Sequence, residues 1–387
     1  MTVLAKMAGN RHAQRVPEFD YCIIGGGIAG LSIGWELAAH GRVILLEREP
    51  QLSYHSTGRS AALFAESYGN AAVRALTRAS REFYFNPPDG FASQPLVSDR
   101  GALYIATDAQ RTELTDFLRE VSDGSAPLQL LDGAEARELV PILSAAIACA
   151  CLDTSVCDID VGAVVDGFRR GFRARGGVIS PDSCVQHIER LPDGWRVTAG
   201  ARHPTARLLI NAAGAWADEI GQLAGAAPIG LEPRRRTAAI VDLPEGSNPR
   251  AWPMVLDVSE QFYFKPDTDR LLISPADEVP SPPCDAQPDD VDVAEAVDRI
   301  ERVTTLTISR VSRAWAGLRT FAPDRSPVIG FDPGIEGLFW FAGQGGYGFQ
   351  MAPAAARAAN ALVLGRPLSN LEDAPGVSEA LLAPRRF

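Results

Sequence analysis

The sequence predicts an α/β protein, α+β overall, in which a Rossmann-like unit carries an inserted, mostly antiparallel β-sheet unit. Three observations predict it. Near the N-terminus an apolar run leads through a glycine-rich turn into a helix-like stretch. Two later apolar runs, at 208–211 and 337–342, also lead into glycine turns. Between them lie segments that alternate apolar and polar residues, the pattern of half-buried antiparallel strands.

Phe19-Asp20-Tyr21-Cys22-Ile23-Ile24 is short, apolar and β-rich, as a strand buried on both faces should be. Gly25, Gly27 and Gly30 follow at G-x-G-x-x-G spacing. The first allows the tight turn, the second lets a pyrophosphate approach the backbone, and the third lets helix pack on strand. Leu31 to His40 has apolar residues at helical spacing, which turns its N-terminal N–H groups toward the phosphates. Arg42 to Glu47 is the next strand. Glu47 stands 22 residues after Gly25, where an acid accepts the hydroxyls of an adenosine ribose. A bare fingerprint also occurs as a fortuitous glycine turn. Here the full strand–loop–helix–strand–acid order marks a dinucleotide site.

A net charge of -11 excludes a nucleic-acid surface and disfavours anionic membranes. The length of 387 residues gives two or three domains at about 150 residues each, and the 46% hydrophobic and 22% charged content is that of an ordinary globular protein. Lys6 and Lys265 are the only lysines, and with the abundant alanine this fits a GC-rich bacterial genome. The six cysteines form no C-x-x-C and no metal-ligand spacing with histidine, so no metal is expected and a reduced, cytoplasmic protein is. Cys22 reads as a small core residue. No apolar run approaches the roughly 18–20 residues of a membrane span. Residues 1–18 lack a signal-peptide core and read as a disordered lead-in.

The nucleotide unit is expected to be discontinuous, over 19–90, 145–227 and 316–387. Its second part holds a helix at 161–175, strands at 178–179 and 184–188, and Leu208 to Gly214. Its third part holds a strand at 337–342, the loop Gly343-Gln-Gly-Gly-Tyr-Gly348 and a helix at 349–364, with Pro353 tolerable in a first turn. The substrate unit is expected over 91–144 and 228–315. Strands are expected at 237–242, 262–265 and 271–274, a loop at 280–283, and an amphipathic helix at 289–303.

The fingerprint does not separate NAD from FAD. Three features favour FAD. Tyr54-His-Ser-Thr-Gly-Arg-Ser-Ala-Ala62 is dense in small hydrogen-bonding residues, its bland alternative being a polar surface loop. The C-terminal glycine loop offers a second helix N-terminus for an electron-rich flavin edge. Building the unit from both chain ends suits a long cofactor.

These segments, with Asn211-Ala-Ala-Gly-Ala-Trp216, Trp315-Ala-Gly-Leu-Arg319 and Gly343 to Gln350, make the chain resemble the D-amino-acid oxidase-like flavoproteins, whose relatives include glycine oxidase and sarcosine oxidase. The resemblance covers about residue 19 to Phe387. Within the family it looks closest to bacterial D-arginine dehydrogenase, through Tyr54 to Ala62, Arg74 to Thr77, Phe262-Tyr263, Thr304 to Thr307 and Gln344 to Gly348.

The resemblance implies FAD contacts at Ala29 by the pyrophosphate and at Glu47 and Arg48 by the adenosine. It places Val185 at the adenine, Ser56, Thr57, Gly58, Arg59, Ser60, Ala61, Ala62 and Leu63 along phosphates and ring, and Gly345, Gly346, Tyr347, Gly348, Phe349 and Gln350 against the isoalloxazine. Gly214 ends the strand turn beside them. Some relatives attach flavin through a cysteine after the arginine strand. Thr320, Phe321 and Ala322 stand there, so FAD is expected to be non-covalent.

Oxidising an amino acid at Cα by hydride transfer to flavin N5 needs a carboxylate anchor and a neutral amine, with no obligatory base. Arg319 is the expected anchor, since a guanidinium holds a carboxylate with two parallel hydrogen bonds; the alternative is an arginine paired with a protein acid. By resemblance Tyr263 also meets the substrate, Arg236 stands near it, Tyr68 is a lid tyrosine, and the Gly346 carbonyl accepts from the substrate nitrogen. Their alternatives are a strand aromatic, an exposed basic turn and core packing for the three side chains. His55 reads as positioning the flavin. Lys265 either tunes oxygen reactivity or is solvated or backbone-capping. His12, His40, His187 and His203 read as surface residues.

One departure matters. The D-arginine dehydrogenase pattern places a glutamate where the substrate guanidinium binds, and this chain has Gly101-Ala102. Leu63 and Ala65 replace a lid histidine and a threonine, leaving Glu66 as a nearby acid that could substitute. The expected reaction is oxidative deamination of neutral, apolar D-amino acids to an imino acid, which hydrolyses to a 2-oxo acid and ammonia. The electron acceptor is open among oxygen, quinone or another carrier. The alternatives are a secondary amino acid or 2-hydroxy acid as substrate, or a non-catalytic flavin subunit.

Overall fold

The computed structural model describes residues 17–121, 127–368 and 377–387. The lead-in expected over 1–18 therefore lies, but for Pro17 and Glu18, outside the described residues, as do Lys6 and His12.

Strand Phe19–Ile24 runs parallel to Val43–Leu46 on one side and Thr205–Asn211 on the other. Val178–Ser180 extends this sheet beyond Val43–Leu46, and Leu338–Ala342 extends it beyond Thr205–Asn211. The strands are apolar without alternation because both faces are covered. Ile23, Leu45 and Ile210 pack with helices Ile28–Leu37, Val161–Ala174 and Gly348–Val363, while Cys22, Ile24 and Leu46 pack toward Trp195, Trp340 and helix Ala217–Leu223. Helix Ile28–Leu37 sits so close to its strand that a Cβ on Gly30 would lie 1.9 Å from the Gly25 carbonyl oxygen.

Helix Gly348–Val363 corrects one expectation. Pro353 is its sixth residue, in the second turn rather than the first. Proline donates no N–H, which strips the Phe349 carbonyl of its helical partner. The buried hydroxyl of Tyr84 donates to that oxygen instead.

A second, ten-stranded sheet takes the order Gln344–Gly345, Val311–Phe321, Glu232–Asp242, Arg270–Ser274, Tyr263–Asp267, Met254–Asp257, Ala102–Thr107, Ile147–Asp153 and Leu128–Asp132, with Val279–Pro280 beside Glu232–Asp242. Among the described residues its one parallel pair is Met254–Asp257 with Ala102–Thr107. Two of the expected boundaries need correction. Ile147–Asp153 belongs to this sheet rather than to the nucleotide unit, and 316 cuts strand Val311–Phe321 in two. A short apolar run such as Ile-Ala-Cys-Ala-Cys-Leu suits a covered strand of either sheet, and only its pairing tells which.

On the back of this sheet, Leu103, Ile105, Val255, Phe264, Leu271 and Ile273 pack with Ala136, Ala296 and Ile300 from helices Gly133–Leu139 and Asp290–Val303. The front face looks toward the first sheet. The two sheets thus enclose a space between them.

Candidate active site

Period-two alternation decides which side chains enter that space. On Val311–Phe321 they are Trp315, Gly317 and Arg319; on Glu232–Asp242, Arg236 and Ala238 stand opposite Gly317 and Trp315. Met254 and Leu256 stand opposite Ala102 and Tyr104, and Tyr263 pairs with Leu256. The facing wall is Ser56, Thr57, Arg59 to Leu63, and the C-terminal loop at Gly343 to Gly346 and Gly348 to Gln350. A second cavity is lined by Gly25, Gly26, Glu47, Arg48, His55, Val185 and Trp216. Gly27, Ser56, Thr57, Ala212 and Gly214 line both, so one chamber runs from Glu47 to Arg319.

Three residues expected at the cofactor stand outside the lining. Gly30 packs helix on strand. A Cβ on Gly58 would lie 2.3 Å from the Ser53 carbonyl oxygen, which makes it a turn position. The Tyr347 ring turns away, edge-on to Tyr68 at 5.1 Å and to Phe321 at 6.3 Å.

At the nucleotide end and along the 54–62 wall the polar groups are wired into the fold. Glu47 is buried; its Oε2 accepts from Gly26 N at 2.7 Å and its Oε1 from Glu49 N at 2.9 Å. Helix Ile28–Leu37 has no N-cap side chain of its own, and Thr57 Oγ1 reaches across to accept from Ile28 N at 3.0 Å. Arg48 lies 4.5 Å over the Trp216 ring, and His55 packs on the same ring at 4.7 Å, tilted by 53°, while its Nε2 meets Glu49 at 2.9 Å. Arg59 donates to the carbonyls of Ala286 and Ala316 at 2.7 and 2.8 Å and pairs with Asp285. Ser56 Oγ donates to the Leu318 carbonyl. The 54–62 segment is thereby a wall fastened to the second sheet, not a surface loop.

Ser53 Oγ, His55 Nδ1 and Gln344 Nε2 are buried without a partner, and all three residues line the chamber. Unsatisfied buried polar atoms are costly in a finished core and expected where a polar ligand completes the site. The residues present therefore fit a dinucleotide.

At the substrate end Arg319 makes one hydrogen bond, from Nη1 to Tyr68 Oη at 3.3 Å, and no ion pair within 4.0 Å among the described residues. Burial by itself disfavours its charge. The phenol oxygens of Tyr68, Tyr263 and Tyr347 outweigh that and raise its pKa. The guanidinium lies against the Gly346 backbone, where a Cβ would come within 2.8 Å of Cζ. A Cβ there would force the guanidinium to shift.

Arg236 is a half-buried strand residue, not an exposed turn. It donates to the Asp277 carbonyl at 2.7 Å and to Glu278 at 3.3 Å, 6.0 Å from the Tyr263 ring. Lys265 is neither solvated nor backbone-capping: Nζ pairs with Asp158 at 2.6 Å, and Lys265 does not line the chamber. Glu66 pairs with Arg81 at 2.9 Å and also stays out of the lining. His40, His187 and His203 are exposed. Sequence reasoning missed Tyr104 and Gln344. Strand period would have found Tyr104, two residues beyond Ala102.

Among the described residues no group of His, Cys, Asp or Glu could hold a metal, and no helix is long and apolar enough to cross a membrane.

The fold and chamber define a flavoprotein oxidoreductase. The chain belongs to the FAD dependent oxidoreductase family, which matches residues 20–362, and FAD is its cofactor. It is 27% identical to the glycine oxidase of Pseudomonas putida over 363 residues, covering 89% of this chain and 94% of that protein. It is 24% identical to the mitochondrial dimethylglycine dehydrogenase of Rattus norvegicus over 372 residues, which covers 88% of this chain but 43% of that protein. The chain thus spans less than half the length of that relative. The structure is similar to that of L-proline dehydrogenase from P. horikoshii, with a TM-score of 0.82 at 22% identity, covering 96% of this chain and 98% of that one.

Proposed function

We propose that this protein oxidises D-amino acids with neutral, mainly apolar side chains to imino acids, which water hydrolyses to a 2-oxo acid and ammonia. The observation that carries this is Arg319, a buried guanidinium with one phenol partner, in a chamber that also presents an apolar patch from Leu63 and Ala65 to Met254 and Leu256. Two of its free donors can hold a carboxylate side by side, fixing position and rotation together. Tyr263 lines the same space and supplies a hydroxyl to that carboxylate, and the Gly346 carbonyl takes an N–H of the amine. FAD supplies the two-electron acceptor when bound. Attachment is non-covalent, since Thr320, Phe321 and Ala322 carry no thiol; acid precipitation should leave the yellow colour in the supernatant.

The side-chain preference follows from Leu63, Ala65, Ala102, Val156, Met254 and Leu256, which offer no formal charge. A guanidinium or ammonium buried against them loses water without a counter-charge. Each buried CH₂ of a Leu- or Met-like side chain contributes about 0.8 kcal/mol. Glu66, engaged with Arg81, supplies no replacement acid. The D stereochemistry rests on the likeness to D-arginine dehydrogenase.

A second reading, a small glycine-like or N-methylated amino acid as substrate, is supported by the relatives named glycine oxidase and dimethylglycine dehydrogenase. An anaerobic panel of D- and L-amino acids, sarcosine, proline and 2-hydroxy acids, read as bleaching of flavin absorbance, separates these readings. D-methionine and D-leucine should exceed D-arginine and D-lysine in kcat/KM, and Ala102→Glu should reverse that order. A wild type that favours D-arginine overturns the reading of Ala102. No bleaching by any compound leaves a non-catalytic flavin subunit.

A further inference from the structure

Tyr104 lines the apolar wall two residues along the strand from Ala102, with its ring against Phe117. Its hydroxyl lies 3.4 Å from Ser67 Oγ, and Ser67 Oγ lies 2.7 Å from Asp153 Oδ2. Asp153 is fully buried. Its Oδ1 accepts from Ser155 N at 2.9 Å and from Ser155 Oγ at 2.6 Å. Neither the cofactor cradle nor the carboxylate anchor uses this chain of groups.

The protons in it have one order. A carboxylate only accepts, so the single proton of Ser67 points at Asp153. Ser67 then has only lone pairs left for Tyr104, so the phenol proton points at Ser67. The phenol oxygen is left with its lone pairs, on a residue that lines the chamber. Burial raises the pKa of Tyr104, so the phenol keeps its proton and the chain keeps its direction. A tyrosine free to rotate could donate or accept; this one is held as an acceptor.

Resting on the amino-acid reading above, we infer that Tyr104 is a specificity residue whose oxygen accepts a hydrogen bond from a neutral donor, a hydroxyl above all, on the substrate side chain. The apolar wall accommodates the body of that side chain and Tyr104 its tip. Sites built around one buried hydrogen bond discriminate against analogues that lack the partner group.

The test uses the holoenzyme and three D-amino acids of the same shape: norvaline, homoserine and O-methylserine, which carry a methyl, a hydroxyl and an ether in otherwise matching chains. A set one methylene longer (norleucine, 5-hydroxynorvaline and O-methylhomoserine) covers the reach. In wild type the hydroxyl compound of one set should exceed its methyl isostere in kcat/KM by about tenfold, or about 1.4 kcal/mol. Tyr104→Phe should bring that ratio to about one. Ser67→Ala removes the acceptor that holds the phenol proton, so Tyr104 can donate, and the ether compound should gain on the methyl one. A purely structural role would scale all three compounds together. Ratios unchanged in both variants, or no hydroxyl preference in wild type at either length, would overturn the inference. If no amino acid bleaches the flavin, the amino-acid reading itself fails. The same compounds titrated against the flavin spectrum then judge Tyr104 by their Kd ratios.

Discussion

On the cofactor side of the chamber, Arg59 in the 54–62 wall gives its donors to two backbone carbonyls and to Asp285, and Glu47 at the nucleotide end accepts from two backbone N–H groups. At the substrate end, Arg319 has a single phenol oxygen. The difference follows the residence of what each end holds. A cofactor that stays can be met by groups already fixed by the fold, which lose nothing by being partly satisfied. A substrate that leaves must be met by a group kept short of partners, because only then does its carboxylate complete a set of hydrogen bonds. Keeping a buried guanidinium short of partners costs stability, as functional sites commonly do.

The most direct way to break this comparison is Arg319→Ala. Removing one partner of a buried ion pair costs roughly 3–5 kcal/mol, which is about two to four powers of ten in kcat/KM. FAD should stay bound, and the Tm of the substrate-free protein should hold or rise, since a buried charge short of partners has gone. Tyr263→Phe should cost less, roughly 1.5–3 kcal/mol for a lost hydrogen bond to a charged group. Unchanged turnover in the Arg319 variant would move the anchor to Arg236.

The converse substitution sits at the other end. Glu47→Ala leaves the buried Gly26 N–H without its acceptor, at roughly 1–3 kcal/mol. FAD dissociation, followed by the rise of free-flavin fluorescence on dilution, should become correspondingly easier. With FAD in excess, substrate KM should stay near wild type. A rise in KM as large as the loss of FAD affinity would mean that the two ends are not built separately.

What the sequence disclosed follows the same division. Gly25, Gly27, Gly30 and Glu47 are legible because a phosphate-binding turn is local and its spacing is written within a few dozen residues. Gly346 is legible from its loop, although what a side chain there would displace, the Arg319 guanidinium against its backbone, is a contact between distant segments. Arg59 reads as a polar loop residue until Asp285 and Ala286 are brought over it. The boundary at 145 falls on the wrong side of strand Ile147–Asp153 because covered strands of both sheets share one pattern. The Tyr104–Ser67–Asp153 chain joins three segments of the sequence, and no spacing rule connects them. Lys265 and Glu66 could be read as site groups because their partners, Asp158 and Arg81, are distant in sequence.

The smallest expected effect concerns Glu278, which stands between the two arrangements. It pairs with Arg325 at 2.8 Å and with Arg236 at 3.3 Å. Burial alone would raise its pKa. The Arg325 hydrogen bonds and the charges of Arg325, Arg236 and Arg319 outweigh burial and hold it below the ordinary 4.5. A carboxyl whose folded pKa is depressed contributes stability that is complete above the unfolded value and lost as pH falls through the folded one. Stability should therefore decline below about pH 4.5 partly through this residue, and Glu278→Gln should make that part of the acid limb shallower. The side chain is 26% exposed, so the loss at neutral pH should be near the upper range for surface pairs, about 1 kcal/mol. Denaturant titrations at a series of pH values read both quantities. The variant should also leave Arg236 with only the Asp277 carbonyl of its two partners here, which makes it more like Arg319. Carboxylate inhibitors should then bind somewhat tighter at neutral pH. An unchanged acid limb would show that Glu278 is an exposed neighbour of these arginines rather than their counter-charge.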